Sequence, residues 1–239
     1  LIYKDSNMKK INTILAALSA LLMLTATSAN SVEFKAGVAA NGMAAYANAK
    51  EAMKGGTRVT NEEAVLATSF ASAFVEVSSE EMMGLGIGIS YAPEVVDLEK
   101  ETRTIQNTLS NNSTGEGNDT GDQVIDGKIS DFASLYVTMP VGDTGAYVKA
   151  GYIQATFITS ENLATGSKYE DIEMTGTQVG GGYEGSLGDM AFWRAEGSLQ
   201  MWSDLSASGS EGRAADSLKN KITAEVGSIV GSLQVGMKF

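Results

Sequence analysis

The last eleven residues of the chain alternate between two kinds of side chain and predict a β-strand with two different faces. From Ile229 to Phe239 the odd positions are apolar except for Gly231, and the even positions include Gln234 and Lys238. A period of two residues is the mark of a strand with one apolar face. Such a strand ends either a closed barrel or an ordinary soluble sheet, and the rest of the chain has to distinguish the two.

Residues 8–31 have the order of regions that defines a secretory signal peptide. A basic tripeptide begins at Met8, an apolar run then extends to Leu24, and small residues follow. The run is too short for a comfortable membrane-spanning helix, although a retained anchor helix is the alternative. Cleavage after Ala29 and cleavage after Ser31 both fit. The sequence therefore predicts export.

Composition limits what the exported part can be. The net charge of -12 argues against nucleic-acid binding, and the absence of cysteine excludes disulfides and thiolate metal sites. We predict no cofactor. Residues 1–7 are predicted to be upstream translated sequence, and 32–239 to form a single domain. Beyond the signal peptide no apolar run is long enough for a membrane-spanning helix, so this domain can enter a membrane only as a closed barrel.

Eight segments have strand-like patterns and are joined alternately by short turns and by longer polar connections. This alternation predicts an antiparallel up-and-down barrel with both termini on the short-turn, periplasmic side. The second segment, 63–78, is rich in alanine and also fits a helix. The segments are 33–47, 63–78, 82–92, 127–140, 145–159, 172–185, 190–203 and 220–239, and the long connections are 48–62, 93–126, 160–171 and 204–219.

The alternation also assigns side chains to the two faces of the barrel wall. In the seventh segment, Trp193, Leu199 and Met201 share one face while Arg194 and Glu196 share the other. Since a charge on a lipid-facing surface is costly, the charged face must line the lumen. Two interpretations remain open, a structural plug of ion pairs and a narrow gated pore or ligand cavity. The predicted lumen charge network is Glu76, Lys149, Glu184, Arg194 and Glu196.

Aromatic residues on the outward face fall near the ends of the predicted strands. Barrels in bilayers have aromatic girdles at both interfaces. Tyr152 fits neither girdle. The predicted periplasmic girdle is Phe34, Tyr183, Trp193 and Phe239, and the predicted outer girdle is Tyr46 and Tyr91.

The chain resembles the small eight-stranded outer-membrane β-barrel proteins of the OmpA-transmembrane-domain and OmpX type. The resemblance covers residues 33–239 and rests on the signal peptide, the segment pattern and the terminal Val235–Phe239. It implies a monomer in the bacterial outer membrane, with lipid and lipopolysaccharide as partners and with barrel-assembly machinery recognising the last strand. No peptidoglycan-binding domain follows the barrel, so cell-wall tethering is not expected.

Two further features bear on function. The chain has no histidine, which removes the usual catalytic triads; only a carboxylate pair such as Glu184 and Glu196 remains, and we predict no enzyme. The acidic outer loop 93–126 suggests a cation-binding loop, with a solvated loop as the alternative. The predicted function is structural or surface-interacting; the alternatives are a narrow channel for small solutes and a soluble secreted β-protein. The candidate cation ligands are Glu116, Asp119, Asp122 and Asp126.

Overall fold

The computed structural model describes residues 32–52, 59–97, 101–106, 120–162, 170–212 and 219–239. The predicted signal peptide, 8–31, lies outside the described residues. In the described ranges, no helix is long and apolar enough to cross a bilayer. A single 3₁₀ turn, Glu80–Met82, joins the second and third strands. The strands are β1 Val32–Ala52, β2 Val59–Ser79, β3 Leu85–Asp97, β4 Glu101–Gln106, β5 Thr120–Pro140, β6 Ala146–Asn162, β7 Ile172–Ser186, β8 Ala191–Trp202, β9 Leu205–Gly212 and β10 Lys219–Lys238.

The strands close into an antiparallel barrel with eight positions around its wall. Strand β1 pairs with β2 on one side and with β10 on the other, which closes the sheet. Strand β4 pairs with β5 above β3, and β9 pairs with β10 above β8. Each of these two short strands therefore occupies the same position around the wall as the strand that precedes it in the chain. The prediction of a closed eight-stranded up-and-down barrel is therefore confirmed.

The register fixes the tilt of the strands. Following directly paired residues once around the wall from Phe34 leads back to β1 at Ala44, ten residues further along the strand. A stagger of this size across eight strands corresponds to a tilt of about 40°. A barrel of this size has a lumen just wide enough for side chains to fill it.

The two faces of the wall have opposite chemistry. Leu233 on the outer face is 67 % exposed, whereas Glu76 and Arg194 in the lumen are only 1 % and 3 % exposed. A soluble protein has the reverse arrangement, with charged residues outside and apolar residues in its core. Among the described residues, the exposed large apolar side chains on β1, β5, β6, β7, β8 and β10 form what we call the apolar belt; it includes Val38, Leu135, Val148, Val179, Leu199, Ile229, Leu233 and Val235.

Several strands are longer than the sequence patterns predict. Strands β1, β2 and β5 have 21 residues each, about twice what crossing a bilayer requires. The prediction of a loop over 93–126 is wrong for much of its length, because β3 extends to Asp97, β4 lies within it, and β5 begins at Thr120.

The wall is not paired over its full height between β2 and β3. These strands pair from Ser79 and Leu85 up to Ala73 and Tyr91, whereas β2 continues beside β1 to Val59. Within the described ranges, no strand pairs with this edge of β2 above Ala73. We call this line the β2–β3 seam.

Strands β3 and β5 are irregular near the seam. Pro93 on β3 has no N–H to donate, and the register between β3 and β5 shifts at Glu94. On β5, Asp131 has a left-handed φ of 54° inside a second irregularity. Tyr91 Oη donates a hydrogen bond of 2.7 Å to Asp131. These irregularities lie on β3 and β5 next to the level at which the pairing of β2 with β3 stops.

Glycines allow the wall to curve tightly where they face the lumen. A Cβ on Gly180 of β7 would lie 2.8 Å from Cα of Ser198 and still closer to the carbonyl oxygen of Gly197. A Cβ on outward-facing Gly197 would meet nothing within 4 Å. Gly180→Ala is therefore expected to lower the free energy of unfolding by about 1–3 kcal/mol, and Gly197→Ala to change it by less than about 0.5 kcal/mol. Denaturant unfolding of both folded variants measures this difference; equal effects would contradict it.

Candidate functional site

The inward-facing side chains of the described strands form three layers in the lumen. A layer of ion pairs lies towards the short turns and the chain ends. A polar cavity lies above it, and an apolar layer lies on the side of the longer connections. Every layer is built from the inward-facing residues of several strands, so that its composition follows from strand parity and register.

Arg194 is the centre of the ion-pair layer. Its Nη1 and Nη2 donate to the two carboxylate oxygens of Glu76 at 2.9 and 2.6 Å, and its Nε donates to Glu184 at 2.7 Å. Such two-pronged, charge-assisted contacts are the strong form of the Arg–carboxylate pair. The guanidinium also lies 5.1 Å from the ring centroid of Phe192 and 5.2 Å from that of Tyr147, within the range of cation–π attraction.

Lys35 completes this cluster and was missed by the sequence analysis. Its Nζ donates to both oxygens of Glu184 at 2.9 and 3.0 Å and lies 3.0 Å from Glu33. Because Phe34 was assigned to the outer face, parity alone would have placed Lys35 in the lumen. Glu184 is thus held between two cations.

A second ion pair lies just above the first. Lys149 Nζ donates to Glu196 at 2.7 Å and lies 4.2 Å from the ring centroid of Tyr136. Tyr147 Oη donates to the other oxygen of Glu196 at 2.9 Å, and Gln234 Nε2 donates to it at 3.3 Å. Three lumen cations therefore face three lumen carboxylates. Each of these carboxylates is bound to a cation rather than to another carboxylate.

The polar cavity has a volume of about 40 Å³. That is enough for about three waters. Its floor includes Lys149 and Glu196, and its walls are mainly hydroxyl and amide side chains. The polar side chains of the wall are Asn41, Ser72, Ser90, Gln178, Ser198, Gln200, Ser232 and Gln234.

The apolar layer lies above the cavity. Its aromatic part is a row in which the rings of Phe70 and Phe132 lie 6.0 Å apart and those of Phe132 and Trp202 lie 6.2 Å apart. Trp202 Nε1 donates to Ser228 Oγ at 3.2 Å, which ties the layer to the wall. The buried aliphatic residues of the layer are Met43, Ala92, Val95, Ile153, Ala155 and Val230.

The predicted girdle residues lie as follows. Phe34 and Phe239 are neighbours, with ring centroids 6.3 Å apart, and each backbone N–H donates to the other residue's carbonyl. Tyr183 and Trp193 form a second pair at 5.8 Å. Tyr46 lies twelve residues along β1 from Phe34, whereas Tyr91 lies only six residues along β3 from Leu85. The structure therefore brings the lower four residues into pairs but puts Tyr46 and Tyr91 at different heights.

The structure describes only part of the predicted cation-binding loop, 93–126. Glu116 and Asp119 lie outside the described residues, whereas Asp122 and Asp126 lie in β5, paired with Thr104 and Ser160. Their placement in a loop was wrong because pairing of β5 begins at Thr120. Among the described residues, no group of three or more acidic, histidine or cysteine side chains is placed to hold a metal ion.

Comparison with solved structures finds the same architecture. OprG, an outer membrane protein of Pseudomonas aeruginosa, has a TM-score of 0.50 and 15 % identity, over 87 % of this chain and 96 % of OprG. The fold is that of the small outer-membrane β-barrels. The barrel thus matches the architecture that the sequence resemblance implied.

Other similar structures differ in what they do. Neisserial surface protein A is 11 % identical, with a TM-score of 0.37, over 84 % of this chain and 97 % of that protein. The outer membrane protease OmpT of Escherichia coli is 10 % identical, with a TM-score of 0.41, over 87 % of this chain and 97 % of OmpT. The chain matches no described protein family. It matches no curated protein either. Likeness at these identities concerns the fold and assigns no activity.

Proposed function

We propose that this protein is an integral barrel of the bacterial outer membrane whose lumen is closed to ions and whose role is structural or surface-interacting. The observation that carries the proposal is the inversion of the wall, with an apolar belt outside and paired charges inside. Lipid stabilises such an outer face, whereas water does not. Export through the predicted signal peptide is part of the proposal.

The dimensions of the belt support this location. On β10, outward apolar side chains extend from Ile229 to Phe239, which is about ten residues of a tilted strand and a height of about 25 Å. This equals the apolar band of known transmembrane barrels. The strands continue above the belt, and Val65 on β2, at 80 % exposure, lies there. We infer that the upper barrel projects from the outer leaflet and is the surface that meets lipopolysaccharide or another cell.

The three-layer lumen supports the closed state. Charges in the lower layer are paired with one another, and the upper layer is a row of aromatic rings. An ion that passed through would have to break the pairs and then lose its hydration among apolar groups, both of which are costly. We therefore infer a plug rather than an open pore. Contact of the last strand with barrel-assembly machinery and a monomeric state are further parts of the proposal.

Planar-bilayer recording tests the closure. The wild-type protein is expected to give no conductance steps. The double variant Glu76→Ala with Arg194→Ala removes this ion pair but keeps the apolar layer. The double variant Phe132→Ala with Trp202→Ala removes two aromatic rings of the apolar layer but keeps the ion pairs. Each double variant is therefore also expected to give no conductance. Only the quadruple variant is expected to conduct.

The folded state of each variant is checked by its gel mobility before and after boiling. Steady conductance steps from the folded wild-type protein would overturn the closed lumen. Conductance of only one double variant would assign the seal to the single layer that this variant lacks.

A small-solute channel is the second candidate, and the β2–β3 seam favours it. The seam begins beside Ser72 and Ser90, which line the polar cavity, and it bypasses the apolar layer. One side-chain hydrogen bond of 3.3 Å crosses it, from Thr68 Oγ1 to the carbonyl oxygen of Val95. Swelling of protein-containing vesicles in a small neutral solute, without ionic conductance, would support this route; vesicles that swell no faster than empty ones would remove it.

A further inference from the structure

The polar cavity in the middle of the lumen is electrically neutral. Among the described residues, the ionic groups on its wall are Lys149 and Glu196, which are paired with each other at 2.7 Å and are both almost fully buried. A charged ligand would therefore enter without an opposite charge to receive it, and burying an uncompensated charge is costly. The cavity suits a neutral occupant.

Several buried polar groups around the cavity have hydrogen-bonding capacity that the protein does not use. Gln200 is 3 % exposed; its Oε1 accepts from Ser228, while its Nε2 has no partner within the described part of the chain. Ser198, 7 % exposed, has no side-chain partner among those residues either. Buried polar groups are rarely left unpaired. These donors therefore indicate a hydrogen-bonded occupant.

Unused acceptors lie beside these donors. Gln178 is paired directly with Gln200 across β7 and β8, and its Nε2 donates to Ser134 Oγ. Its Oε1 has no partner among the described residues. Asn41 uses its Nδ2 for Phe70 and Ser72 but not its Oδ1. One wall of the cavity thus presents free amide N–H groups next to a free amide oxygen.

We propose that the cavity is a binding site for a small neutral carboxamide. The carbonyl oxygen of the ligand accepts from Nε2 of Gln200, and its N–H donates to Oε1 of Gln178. This two-point pairing uses both unused groups and adds no charge. A space for about three water molecules fits a ligand of about four non-hydrogen atoms. The proposal goes beyond barrel closure, since a plugged lumen needs no ligand site.

Acetamide is the probe, and acetate is its charged counterpart of nearly equal size. The full chain, labelled with ¹⁵N, is refolded in detergent in the presence of each compound. The compound is then already present when the ion-pair layer and the apolar layer form around the cavity. Acetamide is expected to shift the side-chain amide signals of Gln178 and Gln200 in a saturable way, with a Kd in roughly the millimolar range. Acetate is expected to bind at least about tenfold more weakly because the cavity is neutral.

Gln200→Leu keeps the volume and removes the donors, so acetamide is expected to leave the Gln178 signal unchanged in this variant. Thr177→Val, on the outward face of β7 next to Gln178, is the matched control and is expected to bind as the wild type does. If Gln200→Leu does not fold, Ser198→Ala replaces it, with at least a severalfold weaker response expected.

A shift that never saturates, equal responses to acetamide and acetate, or unchanged binding by Gln200→Leu would each overturn the carboxamide site. These outcomes are separate from barrel closure: a conducting wild-type protein would overturn the closed lumen and leave a saturable shift intact.

Discussion

Arg194→Met is expected to lower the free energy of unfolding by about 3–5 kcal/mol. The substitution leaves Glu76, which is 1 % exposed, without its bidentate partner, and it removes one of the two cations on Glu184. Removing the partner of a buried charge costs far more free energy than the intact pair contributed to stability. Denaturant unfolding of the protein in detergent or lipid measures the effect.

A second substitution separates this cause from simple loss of packing. In Glu76→Met with Arg194→Met both charges are absent, and most of the lost stability is expected to return because methionine fills the space without a charge. Glu94→Gln removes the exposed pair with Lys128 and is the control, with an expected loss below about 1 kcal/mol. A loss below about 1 kcal/mol for Arg194→Met alone would contradict the buried network.

Leu233→Arg is expected to lower the free energy of unfolding of the barrel in a bilayer by about 2–4 kcal/mol. Leu233 faces outward on β10, about 15 Å above Phe239, and is 67 % exposed. In lipid, arginine at this depth brings a charge into the apolar core. In water, the same substitution on a soluble protein would be harmless, as surface substitutions are.

Val65→Arg is the matched control. It also replaces an exposed apolar residue by arginine, but Val65 lies about 35 Å along the barrel from the Ser79 turn, above the apolar belt. The expected loss is below about 0.5 kcal/mol. Equal effects of the two substitutions in lipid vesicles would contradict the assignment of the belt.

The sequence predicts on which face of a strand each side chain lies. It does not predict which side chains of different strands form ion pairs across the lumen. The alternation in β8 is enough to put Arg194 and Glu196 on one face. It does not say that Arg194 meets Glu76, 118 residues away, because height in the lumen depends on the stagger of all eight strands. That stagger is a property of the closed sheet and leaves no trace in any one segment.

The ends of the strands could not be predicted from the sequence either. Residues 120–127 read Thr-Gly-Asp-Gln-Val-Ile-Asp-Gly, with no apolar face, yet they form the upper part of β5. Backbone pairing with β4 and β6 holds this segment in the sheet. The alanine-rich β2 poses the opposite problem: its composition fits a helix, and only neighbours on the sheet make it a strand.

The most direct measurement of the central claim is gel mobility with and without boiling, after refolding with and without lipid vesicles. A closed transmembrane barrel is expected to fold only when lipid or detergent is present and to migrate differently before and after boiling, since heating unfolds the compact barrel. A protein that folds in plain buffer, stays soluble and shows one mobility would contradict an outer-membrane barrel.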